Sequence, residues 1–133
     1  MADDSTDYTA YGLPDPRSGY GNRDYLDTTY RDKISPEFIT DVWRIMDTAG
    51  NLLIRKHHDY GPKNIAHSPG GALNGLRVRM WDKIARINNL VDSDVNPSNE
   101  SLRDSFLDLL NYSAIAMMVL DNKWPEVDTK DCG

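Results

Sequence analysis

Glu100, Asp104, Asp108 and Asn111 follow one another at steps of four, four and three residues. At 100° per residue they fall within about 80° of one another on a helix. Carboxylates stacked in this way repel by about 0.2–0.5 kcal/mol per pair, and Arg103 is placed to relieve only Glu100. The same side continues into Ile115, Met118 and Val119, which call for burial, whereas Leu102, Phe106, Leu109, Ser113 and Met117 lie opposite. Carboxylates at the mouth of an apolar groove suit Mg²⁺, which takes one or two of them and completes its octahedron with water and phosphate oxygens. The plain alternative is a solvated acidic face, helped near the helix start by the dipole.

A second group carries the opposite charge. Arg79, Lys83 and Arg86 lie within about 60° of each other beside an apolar stripe. Such a cluster suits a polyphosphate, with each arginine as a bidentate fork and the lysine as a point charge. Asp82 sits three residues after Arg79 and four before Arg86, where an intrahelical ion pair accounts for it. Read without a ligand, the two stripes would simply pair acid with base across two helices.

The third group is Lys56-His57-His58-Asp59-Tyr60-Gly61-Pro62-Lys63-Asn64. Cations near a helix C-terminus are favoured by the dipole, and Gly61 is ordinary C-cap chemistry. Asp59 is the misfit, an acid where the dipole disfavours one, and a metal or basic partner would resolve it. Tyr60 and Asn64 are of the types that stack on and hydrogen-bond a base. His57 and His58 diverge by about 100° on a helix and make a poor joint zinc site. Two other motifs fail: Asp92-Ser-Asp-Val-Asn96 opens like a calcium loop but has Pro97 where Gly is needed and Arg103 where Glu is needed. Ser68-Pro-Gly-Gly71 lacks the spacing and the preceding strand of a phosphate loop.

The elements that must position these groups are helices. Ser35-Pro36-Glu37 is a start signal, with a hydroxyl N-cap, proline in the first position and an acid in the first turn. Phe38, Val42, Ile45, Met46, Ala49, Leu52 and Leu53 follow at helical spacing. Leu73, Leu76, Met80, Ile84, Ile87 and Val91 form a second stripe, and Ser98 is available to cap a third helix. The expectation is an all-α small bundle of three main helices, about 36–58, 72–91 and 98–121, with residues 59–72 as a long loop of the sort that is often functional. The run Ile115–Leu120 is apolar on every side, which places helix three centrally and calls for a homo-oligomer.

Flanking this domain (34–124) are an irregular arm, 1–33, and a polar tail, 125–133. The arm holds five of the seven tyrosines but no Ile, Val or Phe. It therefore has little apolar surface to offset an ordering cost of about 1–2 kcal/mol per residue. The chain of 133 residues carries a net charge of -6, which argues against direct DNA binding through phosphate neutralisation. No apolar run approaches the ~20 residues of a membrane span, and Met1-Ala2-Asp3-Asp4 lacks the basic, apolar opening of a secretory signal. With Cys132 the single cysteine, no internal disulfide can form, and a cytoplasmic location is expected.

Three spaced blocks carry a family resemblance: Lys56-x-x-Asp59-Tyr60-Gly61-x-x-Asn64, then Arg79-x-x-Asp82-Lys83-x-x-Arg86, then Asn99-Glu100-x-x-x-Asp104-x-x-x-Asp108-Leu-x-Asn111-Tyr112. Over roughly residues 37–121 the chain resembles the nucleotide modification associated domain type 1, a small helical domain common in phages. That domain is in turn similar to the all-α nucleoside triphosphate pyrophosphohydrolases of the MazG and dimeric dUTPase group. The resemblance implies Mg²⁺ on Glu100, Asp104, Asp108 and Asp59, with Asp104, Asp108 and Asp59 in catalysis. It also implies phosphates on Lys56, Arg79, Lys83 and Arg86, and a base or sugar facing Tyr60, Asn64 and Asn111. The expected activity is cleavage of a small nucleotide between its α- and β-phosphates, in the host cytoplasm if phage-encoded. Those hydrolases add a Glu-x-x-Glu pair on an earlier helix, and here Glu37, Asp41 and Asp47 are scattered. The alternative is a non-catalytic nucleotide binder that sequesters or senses a nucleotide or another phosphorylated small molecule.

Overall fold

A computed structural model describes residues 30, 32–94 and 96–127, and all regular structure among them is helical. The expected arm and tail lie almost wholly outside the described residues. Four helices follow in order: α1 (Pro36–Tyr60), α2 (Lys63–Ala66), α3 (Ala72–Ser93) and α4 (Leu102–Leu120). The all-α expectation holds. Among the described residues, no helix is long and apolar enough to cross a membrane. The chain falls into two compact units, one ending at Arg55 and the other beginning at Lys56.

The first unit is described mainly by α1. Ser35 caps it as its sequence announces, its Oγ accepting from the Phe38 N–H at 3.2 Å. Arg44 reaches back one turn to Asp41 at 3.0 Å, and the Thr48 hydroxyl donates to the Arg44 carbonyl at 2.8 Å. Burial along the apolar face is uneven. Ala49 and Asn51 are buried, while Phe38, Val42, Ile45 and Met46 remain exposed.

The second unit starts with the last turn of α1. The turn ends at Gly61, whose φ of 67° is the left-handed conformation that glycine adopts without a Cβ penalty. Its N–H donates to the His57 carbonyl at 2.8 Å. Where the sequence suggested only a loop, Lys63–Ala66 close into the single turn of α2, which buries Ile65 and Ala66. The loop that follows presses Ser68 against α3, and Gly75 makes this possible: a Cβ there would lie 2.4 Å from both the Cβ and Oγ of Ser68.

Helices α3 and α4 pack on one another. Ala72 and Leu76 of α3, and Ile115 and Val119 of α4, are buried, with Leu76 and Val119 nearly inaccessible. Leu76, Ile115 and Val119 each contribute about 1.5–3 kcal/mol by leaving water. The second stripe is buried only at its beginning, since Ile84 and Val91 are exposed. Trp124 completes the core. Its indole N–H donates to the Pro62 carbonyl at 3.1 Å, and its ring meets His57 edge-on at 4.8 Å between centroids.

The start of α4 corrects the expectation of a helix from residue 98. The helix begins at Leu102 with Ser101 as N-cap. Ser101 Oγ accepts from the Asp104 N–H at 3.1 Å, and the Asp104 carboxylate accepts from the Ser101 N–H at 3.0 Å. This reciprocal capping box satisfies two otherwise orphaned donors, which Ser98 cannot match with Glu100 and Ser101 at its second and third following positions. Glu100 therefore stands before the helix rather than on its acidic face. At the other end, α3 runs to Ser93, two residues beyond the expected 91, and closes on left-handed Asp94.

Candidate functional site

The groups singled out by type and spacing meet around one buried carboxylate. Asp108 lies on the α3-facing side of α4 with only 7% of its surface exposed. Lys83 of α3 donates to its Oδ2 at 2.7 Å, and Lys56, from the last turn of α1, donates to its Oδ1 at 3.2 Å. Lys83 also reaches Glu100 at 3.1 Å. Partial burial of the Lys83 ammonium works to lower its pKa, but its hydrogen bonds and charge contacts with Asp108 and Glu100 outweigh that and hold it above the ordinary 10.5. The Lys56 side chain is half-exposed, and one of its ammonium donors is spent on Asp108.

Arg79 and Arg86 share the face of α3 that carries Lys83, and both grip neutral acceptors. Arg79 donates to the Asn64 carbonyl at 2.9 Å and to Ser68 Oγ at 3.2 Å. Arg86 donates to the Ser101 carbonyl at 3.2 Å, to Ser105 Oγ at 2.5 Å and to the Glu100 carbonyl. Each guanidinium thus braces a segment, the α2 turn or the entry to α4, through neutral acceptors, while the charge of Arg86 also acts on the nearby Asp104 carboxylate. The sequence foresaw the cations but not this bracing. Its signal was Ser68 and Ser105, small hydroxyls on segments otherwise read as loop or core.

Residues 56–120 match the family model of nucleotide modification associated domain 1. The match begins at Lys56, the residue at which the second compact unit begins. It takes in the whole network of Lys56, Lys83, Glu100 and Asp108. No curated protein and no solved structure showed significant similarity to the chain.

Within the matched region the other expected residues are less gathered. Asp104 is spent on the capping box, where the hydrogen bond from the Ser101 hydroxyl and then that from its backbone N–H hold its carboxyl below the usual 3.8. Asp59 sits beside His58 at 3.3 Å, with both side chains largely in solvent. Tyr60 and Asn64 are exposed at the α1 exit, and the Asn64 backbone carbonyl already accepts from Arg79 and Ser68. Asn111 is the exception. One turn beyond Asp108 on the same face, it is buried, and among the described residues its Nδ2 has no hydrogen-bond partner. The Nδ1 of His57, next to Lys56, is likewise buried without a partner.

This arrangement does not fit the Mg²⁺ expected on Glu100, Asp104, Asp108 and Asp59. Both oxygens of Asp108 and one of Glu100 are held by ammoniums, and Asp104 is turned to its own helix terminus. Among the described residues, no three His, Cys, Asp or Glu side chains come together to hold a metal. The site as built is a cation-rich one, organised by a carboxylate.

Proposed function

We propose that residues 56–127 form a binding module for a small phosphorylated nucleotide, which it sequesters or senses. The observation that carries this reading is Asp108 holding the Lys56 and Lys83 ammoniums together, with the unpartnered Asn111 amide one turn away. A buried amide N–H without a partner costs about 1–3 kcal/mol, and an acceptor on a base, sugar or phosphate would recover it. Arg79 adds charge that its neutral acceptors do not cancel, and Arg86, which also acts on Asp104, adds more beside it. Phosphate oxygens are the natural counter-charge. The matched family description, nucleotide modification associated, supports a nucleotide as the bearer of that phosphate. Pyrophosphohydrolysis is the competing reading, and it would need the acids freed from their lysines.

The test is a thermal-shift and calorimetry screen of nucleoside mono-, di- and triphosphates, in EDTA and in Mg²⁺, followed by product analysis. Binding in EDTA raises the melting temperature by mass action, the nucleotide is recovered intact, and Lys56→Gln weakens affinity tenfold or more. If no nucleotide shifts the melting, the binding reading is lost. Pyrophosphate release that needs Mg²⁺ and disappears in Asp108→Asn would replace it with the hydrolase.

A further inference from the structure

We infer that the outward face of α4 is a two-fold homodimer interface, in which α4 packs antiparallel on α4 of a second copy about Ser113. This rests on features separate from the nucleotide reading. The buried side of α4, with Ser105, Asp108, Asn111, Ile115 and Val119, is used within the unit. The opposite side carries Leu102, Phe106, Leu109, Ser113, Met117 and Leu120, with Phe106, Met117 and Leu120 exposed by 54%, 64% and 47%.

The spacing identifies the occupant. The steps are 4, 3, 4, 4 and 3, so Leu109 and Met117 stand four residues either side of Ser113, and Phe106 and Leu120 seven either side. At 100° per residue all six lie within about 40° of Ser113. The mean step of about 3.6 keeps the stripe straight on an unsupercoiled helix. From Phe106 to Leu120 the steps 3, 4, 4 and 3 read the same in both directions, which is what a two-fold axis demands, because each patch must complement itself. With the axis at Ser113, Phe106 of one copy meets Leu120 of the other, Leu109 meets Met117, and the small serine lets the helices approach at the crossing.

Charge agrees with that placement. Arg103 and Asp121, both exposed, lie on the same flank of the stripe, about 80° from Ser113. They are ten residues before and eight after it. An antiparallel two-fold pairing brings matching flanks together at mirrored heights, about 15 and 12 Å from the axis. Arg103 of each copy then faces Asp121 of the other, twice per dimer. A parallel pairing would set each flank against the opposite flank of its partner and leave Arg103 and Asp121 apart.

The test uses the full chain carrying Cys132→Ser to remove the native thiol. Sedimentation and light scattering should give twice the chain mass, and Phe106→Glu or Met117→Glu should halve it while circular dichroism keeps the helix content. Under mild oxidation, Ser113→Cys should link to itself across the axis. Phe106→Cys should stay unlinked alone but link when mixed with Leu120→Cys. A monomer at every concentration overturns the inference. So does a dimer that survives both glutamate variants, or one in which Phe106→Cys links to itself as readily as Ser113→Cys does.

Discussion

Asp108 decides the local electrostatics because it is a single acid serving two ammoniums. Replacing it with alanine leaves two like charges drawn toward one buried spot with nothing between them. Loss of hydrogen bonds to a charged partner, at about 1.5–3 kcal/mol, should show as a lower urea midpoint, and Asp108→Asn should recover part of it. Asp104 gives a pH signature of its own. Its folded pKa lies below 3.8, so its stabilising effect is complete above that value and is lost as pH falls through the depressed one. Melting followed from pH 5 down to pH 2 should show an acid-side loss that Asp104→Asn flattens. Lys83 has the opposite sign. Its raised pKa means its contribution is whole below 10.5 and disappears as pH climbs past the folded value. These side chains could be nominated from the sequence because charge and helical spacing are local properties. Their pairing could not, since which lysine reaches which carboxylate depends on how α3 meets α4.

The helices themselves show where periodicity informs and where it fails. The N-cap at Ser35 and the apolar spacing behind it were readable, and so was the core side of α4 through Ile115 and Val119. The start of α4 was misread because several serines compete at 98–105, and only reciprocal bonding between Ser101 and Asp104 separates them. Ser101→Ala should therefore cost about 1 kcal/mol, whereas Ser98→Ala should change the melting temperature little. The turn of α2 escaped notice because four residues carry no period. Its seat on α3 depends on Gly75, and Gly75→Ala should destabilise by about 1–3 kcal/mol through overpacking. Restoring the stability with Ser68→Gly would locate the clash where the geometry puts it.

Across the whole chain, the net charge of -6 opposes the proposed nucleotide site, whose binding groups would be cations. An anionic ligand must approach through a field of the wrong overall sign, so near charges rather than the sum attract it. Affinity for a nucleotide should accordingly fall several-fold between low salt and 0.5 M NaCl, as screening shortens the reach of Lys56, Arg79 and Arg86. Titration calorimetry at two ionic strengths measures this directly. Composition showed no apolar run long enough for a membrane-spanning helix and a single cysteine, but it could not reveal a boundary between compact units inside a continuous helix. Such a boundary leaves no proline, glycine run or change of polarity at Arg55 and Lys56 to mark it.

The matched region stops at residue 120, yet the indole that holds the Pro62 carbonyl and seats His57 is at position 124. A gene trimmed to the recognised limits would omit this clasp, uncovering the apolar seam that the indole fills and freeing the last turn of α1. Anyone dissecting the chain should keep the short stretch through residue 127, because it carries the indole that ties the α1 exit to the end of α4.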